Sequence, residues 1–188
     1  MSRIDVLLIH PKRTLGALAL VLIAVGIAVG SGANFSASSA NPSNTFTAGT
    51  LTMSNSSDAA AVLTASNWKP GDTQTGTVDI ANTGSLAGTF SLSRTALTNS
   101  DNANPMSDKI NLIVKDCGDF SSGAPTCDAG DPVKYTGTLT AMTSNVALGT
   151  FAANEKHRYQ FAATFDSSAG NVYQGANSQA TFTWNAVQ

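Results

Sequence analysis

Charge is what this sequence of 188 residues has least of: Asp, Glu, Lys and Arg together make up 12% of it. That is about half the usual share of a soluble domain. Ser, Thr, Asn, Gly and Ala take the place of the missing charges. Three of the ten basic residues, Arg3, Lys12 and Arg13, lie in the first 33 positions, against Asp5 alone among the twelve acidic ones. The remainder carries seven basic and eleven acidic side chains, a net charge of −4, with the basic residues scattered. A mildly acidic chain without a basic stripe excludes nucleic acid as a partner, because such binding rests on clustered Lys and Arg.

Histidine is scarcer still. There are two, His10 and His157, and no H-E-x-x-H pattern. A zinc hydrolase ordinarily uses three protein ligands and one open position. His157 sits in Glu155-Lys156-His157-Arg158, with one carboxylate two residues away and no second histidine beyond the first 33 residues. The plainer reading of that segment is a solvated turn entering a strand. No serine lies in a G-x-S-x-G elbow, and His157 is the one histidine base open to a serine nucleophile after export. The residues therefore predict no catalytic site, no cofactor and no metal ligand set, and a protein that is not an enzyme.

Long helical periodicity is also missing beyond the N-terminus. Residues 1–13 hold the positive charges, and residues 15–29 (LGALALVLIAVGIAV) run without charge. A basic segment followed by an apolar one is the pattern of a secretory signal. As a helix those fifteen residues span about 22 Å, short of the ~30 Å hydrocarbon core. Small residues follow, and Ser31 and Ala33 place cleavage between Ala33 and Asn34. The rival is an uncleaved anchor, since counting through Ala33 gives about 28 Å. The membrane is expected as a partner only through an uncleaved leader.

The expected organisation is a signal peptide at 1–33, a polar arm at 34–44 and a β-sandwich domain at 45–188. Period two, the mark of half-buried strands, recurs through the last part. Val78 and Ile80 share a face, as do Leu86, Phe90 and Leu92. So do Ile110, Leu112 and Val114; Tyr159, Phe161 and Phe165; and Phe182 and Trp184. Turn chemistry separates these runs, with Lys69-Pro70-Gly71-Asp72 suited to a type II turn. Asn82-Thr83-Gly84-Ser85 forms another tight connection, and a helical turn is placed near 105–108. About nine short strands with frequent turns predict an all-β, jelly-roll-like antiparallel sandwich behind an N-terminal signal helix.

Two cysteines, Cys117 and Cys127, both lie in the exported part, and an even pair at short spacing outside the cytosol reads as a disulfide. Asp116, Asp119, Asp128 and Asp131 flank them. Calcium prefers several such oxygens, but the spacing matches no known calcium loop, and aspartates favour turns for their own reasons. Trp68 and Trp184 would make a sugar-stacking platform if exposed; large aromatics more often pack in the core.

Three stretches, in order behind this leader, carry a resemblance. They are NTFTAGTL at 44–51, WKPGDT at 68–73 leading into IANTGSL at 80–86, and YQGAN at 173–177 before a last strand. Together they resemble the TasA/camelysin family of secreted bacterial proteins exported through a SipW-type signal peptidase. The resemblance implies a jelly roll, that peptidase as a partner during export, and a secreted or cell-surface location. It also implies a structural role in the extracellular or biofilm matrix, with self-association into fibres when the N-terminal segment of one subunit adds as a strand to the next. Residues 34–44 are then the donor, or else a plain flexible terminus. A monomeric surface-binding or adhesion module is the first alternative. A secreted metalloendopeptidase of the camelysin type is the second. No C-terminal sorting signal follows the last strand, so covalent wall anchoring is not expected.

Overall fold

A computed structural model describes Lys12, residues 15–20 and residues 47–188. The chain divides into two compact units, Met1–Phe46 and Thr47–Gln188. In the first, Lys12 and residues 15–20 are helical. Ala33, Asn34, His10 and the arm at 34–44 lie outside the described residues. Among the described residues, no helix is long and apolar enough to cross a membrane.

The second unit is an antiparallel sandwich of eight strands. They are β1 (Met53–Asn55), β2 (Thr73–Asn82), β3 (Gly88–Asn99), β4 (Ile110–Asp119), β5 (Val133–Thr138), β6 (Val146–Phe151), β7 (Lys156–Phe165) and β8 (Ser178–Val187). One sheet has the order β1-β2-β7-β4-β5 and the other β6-β3-β8. Five of the seven links between consecutive strands pass from one sheet to the other, the exceptions being β1 to β2 and β4 to β5. That is the jelly-roll-like connectivity expected.

The two-residue period places the core. On β7, Tyr159, Phe161, Ala163 and Phe165 are buried, while the residues between them are partly exposed. On β4, Ile110, Leu112 and Val114 are buried while Ile113 is exposed. Phe90 and Leu92 on β3 and Trp184 on β8 meet them from the other sheet. Burial of such a two-faced core is the main favourable term holding the sheets together.

Leu86 departs from the expected pattern. It precedes β3 and is exposed, because the chain is still in the turn after Asn82. The reason is Asn82 itself, which is fully buried. Its Nδ2 donates to the carbonyl oxygens of Leu86, Phe151 and Ala152, at 2.7, 3.3 and 3.0 Å. Its Oδ1 accepts from the Gly84 N–H at 3.0 Å. A Cβ on Gly84 would lie 2.2 Å from the Thr50 carbonyl oxygen, so only glycine admits the chain that crosses there. The turn at 69–72 forms as expected. The Asp72 N–H donates to the Lys69 carbonyl at 2.9 Å, and Gly71 has φ +93°. The helical turn near 105–108 is a 3-10 turn at Met106–Lys109.

Candidate functional site

Among the described residues, four ionisable side chains, Asp116, Lys134, Glu155 and His157, come together where β4, β5 and β7 meet. The register shifts between Asp116 and Asp119 opposite β7. Such a bulge re-aims the side chains around it. Gly118, at φ +104°, takes a conformation suited to glycine. Its N–H donates to Asp116 Oδ1 at 3.1 Å. Asp116 thereby turns inward and is buried.

His157 stands between two carboxylates. Nδ1 is 2.9 Å from Asp116 Oδ1, and Nε2 is 2.9 Å from Glu155 Oε1. Glu155 also accepts from the Ala152 N–H. Lys134 Nζ on β5 lies 3.3 Å from Asp116 Oδ2 and donates to the Leu148 carbonyl at 3.1 Å. The imidazole side chain is only 15% exposed. It stacks on Phe151 at 4.5 Å, which in turn stacks on Phe90 at 4.2 Å. His157 is thus the polar member of an aromatic row, and the expectation of a solvated turn at this position is corrected. Strand pairing brings Asp116 to it from 41 residues away.

The electrostatics follow from this geometry. Burial alone would push the His157 pKa down, but the hydrogen bonds and charges of Asp116 and Glu155 outweigh it and hold it above the ordinary value. Burial would raise Asp116, yet the His157 hydrogen bond, the Gly118 N–H and the charges of His157 and Lys134 bring it below the ordinary value. For Glu155 the His157 hydrogen bond is the largest influence and lowers it. Burial, with the two carboxylates nearby, drives the Tyr159 phenol far upward. Its hydroxyl has no hydrogen-bond partner among the described residues. Below the ordinary histidine value of 6.5 the cluster therefore holds an imidazolium between two carboxylates.

Cys117 and Cys127 are joined by a disulfide, with Cα atoms 4.8 Å apart. The four loop aspartates do not converge. Asp116 faces His157, while Asp131 Oδ2 accepts from the Asp128 N–H at 2.6 Å. Lys115 Nζ binds the carbonyls of Asp128 and Ala129 at 3.0 and 3.3 Å. These bonds are turn chemistry around the disulfide. The two tryptophans divide: Trp184 is buried in the core, and Trp68 is half-buried against Phe165, with ring centroids 6.0 Å apart.

Among the described residues, one group of metal-ligand types comes together, Cys117, Cys127 and Asp131 within 4.8 Å. Both sulfurs in it are already bonded to each other. The ring nitrogens of His157 point in divergent directions, so Asp116 and Glu155 occupy opposite edges of the ring and cannot meet it at one point. The described residues therefore do not fit a three-ligand zinc centre.

No curated protein matches the chain. The family model described as camelysin metallo-endopeptidase matches residues 11–112. The match ends before Asp116, Glu155 and His157. That description overturns the expectation that the protein is not an enzyme, at the level of the family. The matched residues include the turn at 69–72, the buried Asn82 and strands β1 to β3. With more than half of its length matched, this chain belongs to the camelysin metallo-endopeptidase family.

Proposed function

We propose that the exported form of this protein is a structural subunit of the cell surface or extracellular matrix that associates with its own copies by strand addition. The observation that carries this reading is the edge of β8. This ten-residue strand is hydrogen-bonded to β3 on one side, and no described strand pairs with the other. A free edge of that length is a row of N–H and C=O groups that another extended chain completes. Residues 34–44 of a second copy are the proposed donor, freed when a SipW-type peptidase cuts after Ala33. The leader pattern and the disulfide support a secreted or surface location.

The test is assembly of the exported protein followed by light scattering, after its N-terminus has been sequenced. A start at Asn34 with growth into large, sheet-rich particles is expected. Deletion of 34–44 should abolish that growth, and equal assembly without the arm sinks the proposal.

The family description favours a second reading, a secreted endopeptidase. It predicts chelator-sensitive release of peptides from casein. Inactivity of the purified protein with added zinc would remove it.

A further inference from the structure

A cavity of about 790 Å³ opens between the two sheets, where the first residues of β2 and the last of β7 face the start of β8. That volume lies within the range of small-molecule sites, about 300–1,000 Å³. Its apolar lining includes the buried Leu139 and Ala163 and the partly buried Ala180 and Phe182. The half-buried Trp68 and Tyr173 also line it, together with the amide-bearing residues Asn67, Gln74, Asn171 and Gln174; the Gln74 amide also donates to the Thr75 carbonyl at 3.3 Å. Among the described residues, Lys69 is the single charged residue that lines it.

We infer that this groove binds a neutral oligosaccharide. Aromatic rings offer flat apolar faces to the C–H face of a sugar ring, and Trp adds an N–H donor. Each amide offers both donors and acceptors, the complement of a ligand whose hydroxyls do both. A cationic ligand would find no carboxylate in the lining. Ser178 Oγ, also at the wall, has no hydrogen-bond partner among the described residues.

The walls are held before any ligand arrives. Trp68 is stacked at 19° on Phe165, and Tyr173 meets the same ring edge-on at 88°. The 69–72 turn is tied to β7 by the Gly71 N–H, which donates to the Phe165 carbonyl at 2.7 Å. The opposite loop is closed by bonds from the Tyr173 N–H to Gly170 and from the Gln174 N–H to Asn171, at 3.2 and 3.1 Å. The Asn177 N–H donates to Ser100 Oγ at 2.8 Å. Preorganised rings and loops lose little freedom on binding.

An extended peptide is the rival occupant. The segment proposed to add to β8, residues 34–44, has Phe35 as its one large apolar side chain, which is a poor match to a deep groove lined with four aromatic rings, Trp68, Phe165, Tyr173 and Phe182. The groove shares β8 with that edge, through Ser178, Ala180 and Phe182, so sugar binding and strand addition are tested separately.

The test titrates the exported protein with cellohexaose and with chitohexaose, by calorimetry and tryptophan fluorescence. Saturable binding of at least one is expected. Trp68→Phe should weaken it about tenfold, the scale of one aromatic contact. Gln174→Ala and Asn171→Ala, both at exposed positions, should weaken it with melting temperature unchanged. A protein lacking 34–44 should bind as well as the parent. The inference is overturned if neither sugar binds saturably, if binding ignores all three substitutions, or if a synthetic 34–44 peptide occupies the groove and neither sugar displaces it.

Discussion

His157 on β7 and Asp116 on β4 are hydrogen-bonded at 2.9 Å across a bulge that turns the carboxylate inward. Glu155 closes the other side of the same ring. Three titratable groups thus share protons whose release changes the stability of the fold.

The sign of that dependence follows from the shifts. His157 is held above its ordinary value of 6.5, so its contribution is complete below that pH and fades as pH rises through the folded value. Asp116 and Glu155 are held below 3.8 and 4.5, so theirs is complete above those values and fades as pH falls. Stability should therefore peak between pH 4.5 and 6.5. His157→Gln should flatten the alkaline limb and soften the acid one, since His157 contributes to both carboxylate shifts. Urea midpoints between pH 3 and 9 measure this. An unchanged alkaline limb in the variant would count against the cluster as its source.

Asn82 gives a second prediction. Its buried side chain shares two amide hydrogens among three carbonyl oxygens and accepts from one N–H, and the bonds to Phe151 and Gly84 are closed to water. Asn82→Ala strands those groups and should cost about 1–3 kcal/mol for each buried group left unpaired. Thr83→Ala, in the same turn, loses only an exposed hydrogen bond to Thr52 Oγ1 at 2.9 Å and should cost about 1 kcal/mol or less. Denaturant unfolding of both variants separates the side chain's role from that of the turn.

The core supplies a third. Phe161 is fully buried and touches Phe182 and Trp184 across the sandwich, at 5.0 and 6.1 Å. Phe161→Ala should destabilise the domain by about 3–5 kcal/mol. Ile113→Ala on the outer face of β4 should be nearly silent. Comparable losses in the two would mean that the faces of the sheet are wrongly assigned.

Those faces were readable because a strand's side-chain period is two, so Tyr159, Phe161 and Phe165 announce their side without any partner. The Lys69–Asp72 turn was readable because Pro and Gly have few conformations to choose from. Leu86 was misplaced because alternation cannot show where a turn ends. Asn82, which delays the strand, looked like any turn residue. The Asp116–His157 contact was invisible for a different reason. It depends on which strands become neighbours, and β4 meets β7 only after two crossings between sheets. The absence of a metal motif led to the expectation of no enzyme, which the family match reverses, because motif absence speaks only of ligand sets already known.

The disulfide is the last test. Cys117 and Cys127, ten positions apart, close a loop to which the chain-entropy model assigns about 3 kcal/mol. Cys117 sits beside Asp116, on the bulge that aims it at His157. The Cys117→Ser, Cys127→Ser variant should therefore lose that stability and also part of its pH dependence, because a freed bulge holds Asp116 less firmly. Phe120→Ala, which removes the contact of this loop's ring with Lys156 of β7 at 4.9 Å, should leave the pH profile alone. If the double variant unfolds at lower denaturant but keeps the parental pH profile, the disulfide stabilises the chain without positioning the cluster. Loss of both together would show that the bulge needs its covalent tie to keep the carboxylate turned inward.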